Sequence, residues 1–184
     1  ASSGDNTIAW YENDGAANPS WTASDISYTA LGPRGIFLAD IDSDGDLDII
    51  SASSGDNTIA WYENDGAANP SWTAADISTT ADGARNVFVA DIDSDGDLDI
   101  VSASHDDDTI AWYENDGNSD PSFTKNVIST SADGARGVHI ADIDSDGDLD
   151  IVSASRIDNK IAWYENDGAA NPSWSTTTIA TSAA

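Results

Sequence analysis

Three copies of one nine-residue stretch hold the residues of this chain best suited to chemistry. The stretch, Asp-Ile-Asp-Ser-Asp-Gly-Asp-Leu-Asp, runs unchanged over Asp40–Asp48, Asp91–Asp99 and Asp142–Asp150. Its first, third, fifth and ninth positions are carboxylates and its sixth is Gly, so a chain curling through this turn can aim four side-chain oxygens at one centre. Such a cage suits a hard cation. Ca²⁺ accepts about six to eight oxygens in flexible geometry, and Asp-x-Asp-x-Asp-Gly is the opening half of the loop that EF-hands use. The Glu of position twelve and the flanking helices are missing, and Asp stands at position nine instead, so the stretch is not an EF-hand. A solvated acidic turn is the plainer alternative. Five like charges in nine residues repel strongly unless a cation offsets them, and three identical copies argue against accident.

Composition narrows the partners. The 184 residues carry 34 acidic against 6 basic side chains, a formal charge of -28. Nucleic acid and anionic membrane both demand a basic face and are not expected as partners. Three bound Ca²⁺ would move the charge from -28 to -22, and the remaining acidity suits a saline, calcium-rich medium. Cages with this many carboxylates fill most readily outside a cell, where Ca²⁺ is about millimolar, so the expected location is extracellular, secreted or cell-surface. High net charge warns of disorder, but seven Trp, five Tyr and regular β-branched runs argue for a packed core. The chain has no Cys and hence no disulfide framework. No apolar run approaches the length of a membrane span, so membrane insertion is not expected. The chain opens inside a repeat, as expected of a processed product, a fragment or an engineered piece of something longer.

The acidic stretches lie 51 residues apart, and a second segment keeps the same step. Asp-Asn-Thr-Ile-Ala-Trp-Tyr-Glu-Asn-Asp-Gly begins at Asp5 and Asp56; variants begin at Asp107 and, with Lys160 in place of Thr, at Asp158. Each unit shows four strand signals. One precedes the acidic loop (Asn86–Ala90), one follows it (Leu98–Ser102), and two more cover Thr58–Glu63 and Trp72–Ser78. Val87 and Val89 oppose Phe88 and Ala90, and Ile59 and Trp61 oppose Ala60 and Tyr62, so these strands are apolar on both faces. That pattern places them inside a stack of sheets. Turn residues such as Asn64-Asp65-Gly66 and Asn69-Pro70 mark the junctions, and no segment has a capped helical period. The expected fold is all-β: a β-propeller of four-stranded antiparallel blades, about three and a half per chain. The single array divides into a half blade at 1–30 and blades at 31–81, 82–132 and 133–184.

The run from Phe88 to Ala103, with its counterparts beginning at Phe37 and near Val138, resembles the FG-GAP or VCBS repeat, the blade unit of integrin α-chain propellers and of many secreted propellers. The resemblance covers essentially the whole chain and implies one Ca²⁺ per acidic loop, three per chain. It implies side-chain ligands Asp40, Asp42, Asp44 and Asp48 with the carbonyl of Asp46; Asp91, Asp93, Asp95 and Asp99 with that of Asp97; and Asp142, Asp144, Asp146 and Asp150 with that of Asp148. His139 departs from the pattern, standing where other units have Phe37 and Phe88, which puts the packing there in question more than the metal.

Fourteen strands do not close neatly as one ring. An incomplete blade in a small monomeric ring, a ring built from several chains, and an excerpt of a longer array all remain open. Near-identical blades favour exchange between chains, so a homo-oligomer formed through the incomplete blade is expected.

Two further sets recur with the repeat. Trp10, Trp61, Trp112 and Trp163 on the third strand and Trp21, Trp72 and Trp174 on the fourth read first as packing between blades. The alternative is stacking on sugar rings, for which the fourth-strand set is the better candidate. Arg34, Arg85 and Arg136 stand six positions before each loop. They read as contacts that tie the entering chain to acidic neighbours, or as guanidinium groups offered to an anionic ligand. His105 and His139 are single occurrences, and no Ser-His-Asp, Cys-His or phosphate-loop pattern exists, so no enzyme is expected. The functional expectation is an extracellular Ca²⁺-stabilised binding module for carbohydrate or protein adhesion. The rival is a structural repeat that self-assembles into rings or fibres without a small ligand, and a third reading is the non-catalytic part of a polysaccharide-degrading enzyme.

Overall fold

The computed structural model describes residues 1–182, which form strands and turns without a helix. A hairpin of β1 (Ile8–Asn13) and β2 (Trp21–Ser27) comes first. Three four-stranded antiparallel sheets follow, each in chain order. They comprise β3 (Pro33–Ala39), β4 (Asp48–Ser53), β5 (Thr58–Asn64) and β6 (Trp72–Ser78); β7 (Ala84–Ala90), β8 (Asp99–Ser104), β9 (Thr109–Asn115) and β10 (Phe123–Ser129); and β11 (Ala135–Ala141), β12 (Asp150–Ser155), β13 (Lys160–Asn166) and β14 (Trp174–Ala180). The all-β, propeller-like architecture expected from the repeat is therefore the observed one.

Sheets stack because their middle strands are apolar on both faces. Every residue of β4 and β8 is buried. Ile50, Ile59 and Trp61 of one sheet meet Val87, Ile100 and Tyr113 of the next. One step further on, Val101, Ile110 and Trp112 meet Val138, Ile151 and Tyr164. Burial of this kind contributes roughly 25 cal/mol per Å² of apolar surface, so the junctions between sheets are strongly stabilising. The first strands of successive sheets lie against one another, while the fourth strands lie at the rim. Along the inner edge the Phe37 and Phe88 rings sit 4.8 Å apart, and Phe88 and His139 make an edge-on pair at 4.8 Å. His139 thus keeps the aromatic row that its substitution for Phe put in question.

Two kinds of latch join successive units, on opposite ends of the strands. In the turn between second and third strands, Asn57 adopts a left-handed backbone (φ 61) and its Oδ1 accepts the amide of Gly83 at 3.0 Å. Asn6 does the same with Gly32 at 2.9 Å, and Asp108 with Gly134 at 2.8 Å. Asn and Asp tolerate that backbone because a short polar side chain can bond locally. The other latch involves the acidic loops and is described below.

The stack is open at both ends. Ile36 and Leu38 on the leading face of the first full sheet are 43% and 55% exposed, whereas their equivalents Val87 and Val89 are 2% and 6% exposed beneath a neighbouring sheet. The hairpin β1–β2 covers only part of that face, packing Ile8 against Ile49, Ala60 and Tyr62. Among the described residues this hairpin has two strands where each full sheet has four. Beside it lies a groove of about 440 Å³, lined by Trp10, Tyr11, Ile36, Leu38, Leu47 and Trp72 among others.

Candidate metal centres

Each acidic loop joins the first and second strands of a sheet, so all three lie at the same end of the stack. The chain reverses through a serine in the left-handed region (Ser43, φ 60; Ser94, φ 61; Ser145, φ 67) and a glycine at Gly45, Gly96 or Gly147 with φ between 101 and 104. Only Gly adopts the latter angles without strain, which accounts for Gly at the sixth position. Backbone amides then hold the carboxylates in place. In the first loop Asp44 N donates to Asp42 Oδ1 at 3.3 Å, Gly45 N to Asp40 Oδ2 at 3.0 Å and Asp46 N to Asp44 Oδ1 at 2.9 Å. The other two loops repeat these bonds.

One carboxylate oxygen from each of Asp40, Asp42 and Asp44 lies within 4.8 Å of the other two, and Asp91, Asp93 and Asp95, and Asp142, Asp144 and Asp146, converge in the same way. Burial, followed by the charges of neighbouring aspartates, raises the carboxyls of Asp42 and Asp93 above the ordinary range. The donor set fits a hard cation. Asp40 Oδ1 and Asp91 Oδ1 are buried without a hydrogen-bond partner, and an unsatisfied buried carboxylate oxygen is costly unless an ion takes its lone pair.

The remaining loop aspartates are placed differently. Asp46, Asp97 and Asp148 lie over the backbone of Gly66, Gly117 and Gly168, leaving no room there for a β-carbon. Asp48, Asp99 and Asp150 are buried to 1% exposure or less at the root of each loop. Asp48 Oδ1 accepts the amide of Asn64 at 2.9 Å and Oδ2 that of Ile41 at 3.2 Å, so this carboxylate ties the loop to the third strand. Asp99 makes the same pair of bonds with Asn115 and Ile92, and burial nonetheless pushes its carboxyl up to about 7. The indole of Trp112 lies near enough to favour the charged form of Asp99 but outside hydrogen-bond geometry. A carboxylate that accepts two amides retains lone pairs for a metal.

Asparagines at the end of the third strand form the second latch, which the sequence reading passed over as turn residues. Asn115 Nδ2 donates to the carbonyl of Leu98 at 3.0 Å in its own loop and to that of Ile41 at 3.2 Å in the preceding loop. Asn166 bonds Leu149 and Ile92 in the same manner, at 3.1 and 3.0 Å. Their recurrence at the 51-residue step was the available signal. Asp40, Asp42, Asp91 and Asp93 are thereby half-buried beside the following sheet while Asp44 and Asp95 stay exposed, whereas Asp142, Asp144 and Asp146 are all exposed.

Of the other candidate residues, Trp61 and Trp112 are buried between sheets, in keeping with a packing role. On the fourth strands Trp21 is 59% exposed, whereas Trp72 and Trp174 are half-buried against the cores. Trp174 lines a shallow rim cleft of about 310 Å³ with Glu165, Asn166, Asp167, Ser173 and Ser175. Arg34, Arg85 and Arg136 lie at the end of the stack opposite the acidic loops, each one residue into a first strand. Arg34 Nε donates to Ser54 Oγ at 2.8 Å. None of the three forms an ion pair among the described residues, so the expected tie to acidic neighbours is not what positions them.

A family model described as FG-GAP-like repeat matches residues 1–51, 40–102 and 91–153. No curated protein matched the chain.

Proposed function

The chain belongs to the FG-GAP-like repeat family, and on that premise we propose that it is an extracellular binding module whose sheets are stabilised by Ca²⁺ in the three acidic loops. The observation that carries the metal reading is the pair of buried, unpartnered oxygens, Asp40 Oδ1 and Asp91 Oδ1, each within a converging aspartate triplet. Oxygen-only donors on a flexible loop favour Ca²⁺ over softer ions. Since the unfolded chain has no such cage, binding free energy becomes folding free energy. Thermal unfolding in millimolar Ca²⁺ and in excess chelator tests this; the reading expects a clearly lower midpoint in chelator and fails if the midpoints agree.

The partner proposed is a carbohydrate or an extracellular protein, engaged at the rim. Support comes from the fourth-strand aromatics: Trp21 is exposed, and Trp72 and Trp174 each border a cleft. Aromatic faces with polar neighbours suit sugar rings, which are apolar on one side and hydroxylated at the edge. A glycan array probed with the Ca²⁺-loaded protein tests it, with Trp174→Ala expected to abolish any signal carried by the rim.

A second reading, assembly of copies of this chain, is favoured by the open ends. The exposed face of Ile36 and Leu38 corresponds to surfaces buried at both internal junctions. The trailing face of the last sheet, with Val152, Ile161 and Trp163, corresponds to the face that covers them. A second copy joining head to tail would continue an interface the chain already makes twice. Mass that rises with concentration, and reverts with Leu38→Glu, supports it; a monomer at every concentration excludes it.

A further inference from the structure

We propose that Arg34, Arg85, Arg136 and Arg156 form a binding site for an oxyanion, such as a sulfate or carboxylate group, at the end of the inner strands opposite the metal loops. Four of the chain's six cationic side chains are these arginines, and Arg156 follows β12 at this same end, its amide donating to the carbonyl of Gly134 at 3.0 Å. Arg34, Arg85 and Arg136 occupy one position in three adjacent first strands, and at each the ladder slips by one residue. Ala84 pairs with Ser104 and Asn86 with Ala103, leaving Arg85 as the extra residue of a bulge; Arg34 and Arg136 are left over in the same way. A bulge redirects the side chain it carries, and bulges are over-represented beside functional sites.

The strands are drawn together at this point. Gly35 leaves room for the backbone of β7, since a β-carbon there would stand 2.9 Å from the carbonyl oxygen of Arg85. On the other side Asn86 Oδ1 accepts the amide of Val138 at 3.0 Å, holding β11 against β7. Arg34, Arg85 and Arg136 consequently sit at one level on neighbouring strands. Arg85 Nε is buried with no hydrogen-bond partner. Burial, followed by the charges of Arg34 and Arg136, holds Arg85 below the usual arginine range; Asp106 pulls the other way, and Arg156 adds the smallest contribution. Asp106 is itself engaged by His105 Nδ1 at 2.6 Å.

In a chain with 34 acidic residues, ion-pair partners for these arginines would be easy to supply. Among the described residues the Lys or Arg ion pair is Lys160–Asp158, and the other close contact of opposite type is the His105–Asp106 hydrogen bond. Guanidinium groups held together without protein carboxylates present planar forks of N–H donors that match the oxygens of a sulfate or carboxylate. An oxyanion would relieve their mutual repulsion and give Arg85 Nε an acceptor. The site needs no metal, so it stands apart from the Ca²⁺ reading.

Calorimetric titration of the Ca²⁺-loaded protein with inorganic sulfate at low ionic strength is the test. Saturable binding is expected, weakened about tenfold or more by Arg85→Gln, with Arg85→Lys intermediate because charge is kept and the fork is lost. Lys125→Gln, a cation on β10 outside the cluster, is expected to leave sulfate binding unchanged. Circular dichroism of each variant confirms that it is folded. Absence of saturable binding, unaltered binding in folded Arg85→Gln, or equal weakening by Lys125→Gln overturns the proposal. Parallel titration with a sulfated oligosaccharide and its desulfated form identifies the source of the group. Much tighter binding of the sulfated form than of free sulfate assigns a group carried on a saccharide, and equal binding assigns the free ion.

Discussion

The side-chain amide of Asn115 reaches 3.2 Å across a sheet boundary to the carbonyl of Ile41, which lies between Asp40 and Asp42 in the preceding acidic loop. One asparagine therefore closes its own loop through Leu98 and clamps its neighbour's. Among the described residues the equivalent Asn64 amide donates only within its own loop, to Leu47 at 3.1 Å. Replacing Asn115 with Ala leaves two carbonyls without that donor, and an unsatisfied buried group costs about 1–3 kcal/mol. Asn115→Ala is expected to lower stability by about 2 kcal/mol and Asn64→Ala by about half as much or less, as read from denaturant midpoints at saturating Ca²⁺.

The same latch divides three identical loops into two classes. Asn115 and Asn166 clamp the first and second loops, in which two aspartates of each triplet are half-buried, whereas all three of the third are exposed. A cage fixed in advance loses less conformational entropy on binding, so the first two sites are expected to bind Ca²⁺ more tightly than the third. Calorimetric titration should resolve two tighter ions and one weaker. Asp93→Ala should remove a tight ion and Asp144→Ala the weak one; three equivalent sites would contradict the role given to the latch.

Acidity should act on the metal-free chain through the buried carboxylates. Burial raises Asp48 and takes Asp99 to about 7, against an ordinary carboxylate value of about 4. A folded-state value above the unfolded one means that the folded chain holds more protons. The stability so contributed is present below about pH 4 and is lost as pH rises through about 7. A bound dication favours the ionised forms, so its stabilising effect grows across that window. The rise in unfolding midpoint produced by Ca²⁺ is expected to be small at pH 5 and several degrees larger at pH 7.5. Calorimetry at both values checks this, and a rise independent of pH would refute it.

Much of this arrangement was legible in the sequence because the repeat states it three times. The acidic loop, the doubly apolar strands and the turn glycines each answer to a local rule, and the convergence of Asp40, Asp42 and Asp44 followed from their alternation through a tight turn. What the sequence could not display was the relation between units. Asn64 and Asn115 sit in the same words, Trp-Tyr-Glu-Asn, yet one bonds within its loop and the other bridges two, because only the latter follows a complete sheet. Likewise the spacing of Arg34, Arg85 and Arg136 was visible, but their bulges and lack of ion pairs depend on strand register and on how closely the inner strands approach.

That approach makes one position in the repeat sensitive in one unit and tolerant in another. A β-carbon on Gly35 would meet the carbonyl oxygen of Arg85 and the α-carbon of Asn86, both at 2.9 Å and both backbone, so β7 would have to move. The equivalent Gly137 has nothing within 4 Å, since no further sheet packs against it, and Gly35 and Gly137 both lie outside the positive-φ set. Overpacking costs about 1–3 kcal/mol, whereas a Gly→Ala change at a compatible, open site stabilises by about 0.4–1 kcal/mol through the unfolded chain. Gly35→Ala is therefore expected to destabilise and Gly137→Ala to be neutral or mildly stabilising, as read from unfolding midpoints. Because β7 carries Arg85, Gly35→Ala should also loosen the guanidinium cluster, while Gly137→Ala leaves it intact. If both substitutions lowered stability equally, the inner strands would not be packed as described, and the alignment of the arginines would lose its structural cause.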